Sequence, residues 1–304
     1  GMVLYTWTGS SAVVLAGLSL GHWIGGVLAA PEIDARTGAG RVAKALALAA
    51  ISSLASLVLL RVVSALLLDS GAGPITVIIG LAGALFFLPS LFVGIVSPIL
   101  TKLAVDAGPL DPGRIIGRMY ALGALGSIAG TLAAGYLFIS WIGSTGTVIT
   151  VAAVYAGLAL GLRLGAGFFV LLALAGGGLL WWGTATGAFD SPCQVESDYF
   201  CIRIADFPDA GQGAGRMMIL DHLVHSINDR DDPGLLYSPY SHFVDEAAKL
   251  RLGPSGGPSA FFIGGGGYSL PRAWGHDYKA AKLVVAEIDP GVTEAARQYL
   301  WLSP

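Results

Sequence analysis

Charge is what this chain has least of. Lys, Arg, Asp and Glu make up 12% of its 304 residues, about half the share usual in a soluble domain, which is roughly a quarter. With 54% apolar residues and a mean hydropathy of +0.71, the chain is not expected to fold as one water-soluble body. The net charge is −3, and no basic cluster with interleaved aromatics occurs, which argues against a nucleic-acid surface. Cysteine is limited to Cys193 and Cys201. Two thiols are too few for a metal centre, and no His or Cys stands at a ligating distance in sequence, so no metal is expected. The pair forms a disulfide if its side of the membrane is oxidising, or remains as free thiols; the sequence leaves both open. The first apolar stretch lacks a charged leader and a small-residue cleavage site, so it does not read as a signal peptide.

The few charges are unevenly placed. Of the 17 basic and 20 acidic residues, 13 precede position 190 and 24 lie from there on. This divides the chain into a transmembrane helical domain over 1–188, a β-hairpin region over 189–253 and a nucleoside-binding segment over 254–304. Six apolar stretches reach about 20 residues, enough to cross the hydrocarbon core: 9–30, 43–67, 75–101, 119–142, 146–165 and 167–186. Pro89 and Pro98 predict a kink in the third. Gly17, Gly21 and Gly25 form one small-residue stripe. Gly126, Gly130 and Ala134 form another, beside Gly123, Ser127, Thr131 and Gly135. Such stripes let helix backbones approach closely where lipid offers no hydrophobic gain, and a substrate path lined by small residues is the alternative. Homo-oligomerisation stays open. Arg61 and His22 lie inside spans, where Arg61 has no acidic partner and either snorkels or caps a bundle. Basic residues collect at alternate loops (Arg36, Arg41 and Lys44; Lys102, Arg114 and Arg118; Arg163). By the positive-inside rule these loops are cytoplasmic, and six spans then put the residues after 187 on the outer face.

From Cys193 the pattern changes. Tyr199–Ile204 alternates as a strand, 206–215 is turn-rich, and Met217–Ser226 reads as a second strand completing a hairpin. Asn228–Pro233 is a polar turn, Tyr237–Leu250 has helical spacing, and Pro254–Pro258 is a linker. Next, the apolar run Ala260–Ile263 enters Gly264, Gly265, Gly266 and Gly267, and a second run, Leu283–Ala286, ends in Glu287. Glycines allow a tight turn and close backbone approach to a ligand, and an acid about twenty residues on is placed to bind ribose hydroxyls. A flexible loop is the bland alternative for a glycine run. The third glycine of a dinucleotide fingerprint is replaced by Ser269 or Leu270, so a ligand with one nucleoside fits better than NAD. The expected fold is an α-helical multi-span membrane domain, followed by a β-hairpin and the start of a Rossmann-like α/β domain of methyltransferase type.

The order of hairpin, short helix, glycine-rich β-α-β unit and acidic strand end resembles the polyamine aminopropyltransferases, the spermidine synthase family. The residues carrying the resemblance are Glu196-Ser-Asp-Tyr199, Leu220-Asp-His-Leu-Val-His-Ser226, Asp232-Pro-Gly-Leu-Leu-Tyr237, Ile263-Gly-Gly-Gly-Gly267 and Val285-Ala-Glu-Ile-Asp-Pro290. Leu18–Gly26, Ser97-Pro98 and Gly117–Ser127 are similar to the N-terminal region of membrane-fused members. The resemblance implies a membrane-bound enzyme, in a bacterial inner membrane, that transfers an aminopropyl group from decarboxylated S-adenosylmethionine to an amine such as putrescine. The decarboxylated donor is a co-substrate; no cofactor is held permanently. Carried over by position, Gly264, Gly265, Gly266 and Gly267 approach the donor, Glu287 holds its ribose with Asp289 beside it, and His225 is a polar donor contact. Tyr237 and Asp221 face the amine.

Two features depart from the family pattern. Gly267 stands where soluble members carry an Asp that touches the aminopropyl end. The family's catalytic aspartate would lie past Pro304, so the chain is expected to be an inactive piece lacking both ends. Plainer roles stay open: Asp221, His222 and His225 as exposed strand polars, Tyr237 as a core aromatic, Asp289 as a cap for the next turn. Alternative functions are a membrane-anchored S-adenosylmethionine-dependent methyltransferase, since one fold serves both chemistries, and a transport or polyamine-binding membrane protein.

Overall fold

Small residues decide how closely the N-terminal helices approach one another. The computed structural model describes residues 2–29, 33–108, 111–162, 164–208, 215–252 and 257–303. The chain divides into two compact units, 1–190 and 191–304. The hairpin region and the glycine-run region both fall within the second. Arg163, residues 209–214 of the turn-rich loop, and 254–256 of the expected linker lie outside the described residues.

The first unit contains α1 (Met2–Leu28), α2 (Ala35–Asp69), α3 (Pro74–Ala82), α4 (Leu88–Ala107), α5 (Pro112–Ala133), α6 (Ile139–Gly161) and α7 (Ala166–Ala185). Helix α1 lies against α4 along the Gly17, Gly21, Gly25 stripe. A Cβ on Gly21 would sit 2.2 Å from the Leu91 carbonyl oxygen, and one on Gly25 would sit 2.6 Å from that of Ile95. This stripe is a packing surface. The second behaves differently: a Cβ added at Gly123, Gly126, Gly130 or Gly135 meets nothing within 4 Å. Helix α2 is central, with Ala43, Ala47 and Ala49 fully buried and Leu46, Leu91, Ile95 and Ile99 in the surrounding core.

Among the described residues, five helical runs are long and apolar enough to cross a membrane, and they make the first unit a membrane domain. One of these runs takes in two of the six stretches expected from the sequence, with its break at the expected 143–145 loop. The fourth and fifth are one helical run, Pro112–Gly161, 50 residues long. It contains a single non-helical residue, Gly143, at φ 69° and ψ 176°. A straight helix of that length would measure about 75 Å at 1.5 Å per residue, more than twice the roughly 30 Å hydrocarbon core, so the run must bend, and Gly143 supplies the break. Short π-helical turns also occur at Gly83–Phe87, within the run Pro74–Ala107, and at Ala134–Phe138, within Pro112–Gly161 itself. The first immediately precedes α4, which starts with Pro89 in its first turn and carries Pro98 inside.

The basic residues assigned to loops lie on helix ends instead. Arg36, Arg41 and Lys44 belong to α2, Lys102 to α4, and Arg114 and Arg118 to α5. Arg61 caps carbonyls that follow α7: its guanidinium donates to the Asp190 oxygen at 2.7 Å and the Gly187 oxygen at 3.5 Å. His22 is exposed on α1.

The second unit opens with a four-stranded antiparallel sheet in the order β1 (Val195–Glu196), β2 (Cys201–Asp206), β3 (Gly215–Leu220), β4 (Leu223–Asp229). The expected single strand 217–226 is two strands, because the chain turns at Asp221 and His222, with Asp221 at φ 55°. Asn and Asp enter this left-handed region more readily than other non-glycine residues. The expected polar turn 228–233 starts later, since Asn228 and Asp229 still pair in β4. Cys193 and Cys201 form a disulfide, which settles the choice left open by the sequence. Then come α8 (Pro239–Leu252), β5 (Ser259–Ile263), α9 (Ser269–Asp277), β6 (Lys282–Ala286) and α10 (Pro290–Tyr299). Strands β5 and β6 pair in parallel, joined through α9. Ile202, Met218, Tyr268, Val292, Ala296 and Leu300 form the buried core.

Candidate functional site

The site grows from the turn between β5 and α9. Gly264 and Gly266 adopt φ of +86° and +51°, where a side chain would be strained. Gly264 donates its amide to the Ala286 carbonyl at 2.8 Å, continuing the parallel ladder one step past the strand. Gly267 is glycine for a different reason: a Cβ there would fall 1.9 Å from Ser226 Oγ and 2.9 Å from Leu300 Cδ1. The hydroxyl of Ser226 fills that space, so this backbone has no room for an aspartate at 267.

Asn228 locks the turn from beneath. It is 1% exposed. Its side-chain amide donates to the Gly267 carbonyl at 2.6 Å and to the Leu300 carbonyl at 3.4 Å, and its oxygen accepts from Ser269 Oγ at 2.6 Å. Above the turn, Glu287 closes on it. One carboxylate oxygen accepts the amides of Gly265 at 2.5 Å and Gly266 at 3.4 Å, and the other accepts the Asp289 amide at 3.0 Å. Burial alone would raise the Glu287 pKa, but the amides of Asp289, Gly265, Gly266 and Ile288 outweigh it and hold the carboxyl below its usual range.

These groups border a cleft of about 470 Å³, within the span typical of small-molecule sites, roughly 300–1,000 Å³. Gly264 to Gly267, Glu287 and His225 all line it, together with the aromatic rings of Phe200, Phe262 and Tyr240. The His225 ring lies 6.4 Å from that of Phe200. No Lys or Arg is among the described residues lining this cleft, and Glu287 is their one carboxylate.

Three residues assigned to the site from the sequence stand elsewhere. Asp289 is 1% exposed and structurally engaged: it caps α10 through the Gly291 amide at 2.8 Å and accepts Ser197 Oγ at 2.5 Å. Its capping role is the plainer of the two readings. Asp221 occupies the β3–β4 turn and accepts the Cys201 amide at 3.0 Å. Tyr237 donates to Asp229 at 2.8 Å and packs edge-on against Phe207 at 5.1 Å. Burial first, then the bonded and charged Asp229, push its phenol up to about 12. None of the three lines the cleft. Conversely, the sequence reading missed Asn228, Ser197, Ser269, Phe200 and Tyr240. An Asn after Ile227 at the end of an alternating stretch, so close after His225, was the one available signal for the first.

A half-buried, amide-bound carboxylate opposite a glycine turn can accept paired hydroxyls, and the aromatic walls can hold a planar base. No family model matches this chain, and neither a curated protein nor a solved structure does.

Proposed function

We propose that this chain is a membrane-bound aminopropyltransferase of the spermidine synthase type, with β5, α9, β6 and α10 forming a Rossmann-like nucleoside-binding unit. Its donor is decarboxylated S-adenosylmethionine and its acceptor an amine such as putrescine. The reading rests on the charge of the cleft. The described lining has one carboxylate and no Lys or Arg. Glu287 already occupies the amides of Gly265 and Gly266, which would otherwise attract an anion. Such a cleft disfavours a pyrophosphate or a free carboxylate on the ligand and favours a cation. The decarboxylated donor carries a sulfonium and an ammonium and no acid. S-adenosylmethionine adds the carboxylate this surface repels, which ranks methyl transfer second.

In the reaction the neutral amine's lone pair attacks the methylene carbon bonded to the sulfonium. The carbon–sulfur bond breaks, its electron pair neutralises the sulfur, and methylthioadenosine leaves. Glu287 orients the ribose, and the glycine turn keeps its backbone close to the nucleoside. The membrane helices anchor the enzyme.

Mass-spectrometric product analysis tests this. The membrane-embedded protein, together with any sequence that continues it past Pro304, is incubated with putrescine and either donor. Methylthioadenosine plus an aminopropylated amine from the decarboxylated donor supports the proposal. S-adenosylhomocysteine from S-adenosylmethionine, with no aminopropylated product, would shift the assignment to methyl transfer.

A further inference from the structure

We infer that the Cys193–Cys201 disulfide is a redox latch on the nucleoside cleft. The bond closes a short ring of chain, with eight positions separating its ends and Cα atoms 5.3 Å apart. The ring is otherwise held by hydrogen bonds: β1 and β2 pair at Val195↔Ile202 and Glu196↔Cys201, the Gln194 amide donates to the Ile202 carbonyl and that of Ser197 to the Phe200 carbonyl, and the disulfide is its one covalent closure among the described residues. Both cysteines are partly exposed, so a soluble dithiol can reach them.

The ring is connected to the site by an unbroken series of contacts. Inside it, Ser197 Oγ donates to Asp289 at 2.5 Å. Asp289 caps α10 through the Gly291 amide, and its own amide donates to Glu287. Glu287 in turn holds the amides of Gly265 and Gly266. A second route runs through Phe200, next to Cys201, which lines the cleft and stands beside His225. Packing supports the first route, since a Cβ on Gly291 would touch the Ser197 Cβ at 3.4 Å.

With the disulfide formed, Ser197 is held against Asp289, and the Glu287 cradle is fixed. A dithiol transfers two electrons and two protons to the bond: the S–S link breaks, Cys193 and Cys201 become thiols, and the dithiol becomes its own disulfide. The ring then regains conformational freedom, the Ser197–Asp289 bond is populated less, and Glu287 loosens its hold on the glycine turn. The cleft is therefore ordered under oxidising conditions and slack under reducing ones. The latch does not depend on which ligand the cleft receives.

Hydrogen–deuterium exchange on the detergent-solubilised chain tests it. Reduction with dithiothreitol, and separately the Cys193→Ser/Cys201→Ser pair, is expected to speed exchange at Gly265, Gly266, Asp289 and Gly291 about tenfold, with the β3 amides unchanged. Acceleration confined to 194–200 would overturn the proposal. If reduction loosens β3 as well, Ser197→Ala decides, because it cuts the link and leaves the disulfide intact. It must speed exchange at Asp289, Gly291 and the glycine turn; unchanged exchange there refutes the latch.

Discussion

Asn228→Asp replaces an amide by a carboxyl of the same shape at a position 1% exposed. In the native chain the nitrogen donates to the Gly267 carbonyl at 2.6 Å and the Leu300 carbonyl at 3.4 Å. An ionised aspartate would set an oxygen against those two oxygens, with no donor between them. The carboxyl can lessen this by keeping its one proton and donating it to the nearer Gly267 carbonyl. Its pKa in the folded chain is then raised, while in the unfolded chain it stays near about 3.9. Between these two values the folded state holds the extra proton, so the variant loses stability as pH rises. The cost of staying protonated is about 1.4 kcal/mol per pH unit above the unfolded pKa. That gives a deficit of about 1.5 kcal/mol at pH 5 and about 4 kcal/mol at pH 7, relative to wild type at the same pH. Asn228→Ala should cost about 2–4 kcal/mol from lost hydrogen bonds and a small cavity, at every pH. Urea-dependent proteolysis, scored only on fragments from 191–303, reads these values without interference from the membrane helices. A deficit below about 1 kcal/mol at pH 7, or one that does not change with pH, would refute the role assigned to Asn228.

Three further outcomes are expected. Glu287 has a depressed pKa, so its contribution is complete above its unfolded value of about 4.3 and is lost as pH falls through the lower folded value. Glu287→Gln should flatten that acid limb in the same proteolysis assay. Gly267→Ala should destabilise by about 1–3 kcal/mol through overpacking against Ser226 and Leu300, and adding Ser226→Gly should recover most of it; a neutral single variant would contradict the geometry. In α1, Gly21→Val should separate α1 from α4, where a Cβ already lies 2.2 Å from the Leu91 oxygen. Cysteine cross-linking between the two helices should fall sharply, whereas Gly126→Val on α5 should leave it unchanged.

How far these features could be read from sequence depends on their range. The glycine turn was legible because its causes are local: two strands, four small residues and an acid within thirty positions. The Gly17, Gly21, Gly25 stripe was legible for the same reason. The turn at Asp221 was hidden, because 217–226 reads as one alternating run and a non-glycine residue takes the positive φ. The break at Gly143 was legible, since 143–145 reads as a loop in sequence, although the structure makes it with a single non-helical residue. Asn228 and Ser197 were missed because their partners, Gly267 and Asp289, lie 39 and 92 positions away. Asp289 was assigned to the ligand because its neighbour Glu287 is at the cleft, yet β6 ends at Ala286 and Asp289 is already the N-cap of α10.

The central claim is that this cleft selects a cationic nucleoside. Calorimetric titration of the detergent-solubilised, oxidised chain with decarboxylated S-adenosylmethionine, S-adenosylmethionine and methylthioadenosine tests it most directly. The account predicts tightest binding for the decarboxylated donor, at least tenfold over S-adenosylmethionine, with binding lost in Glu287→Ala. Equal or tighter binding of S-adenosylmethionine, or binding that survives Glu287→Ala, would contradict it.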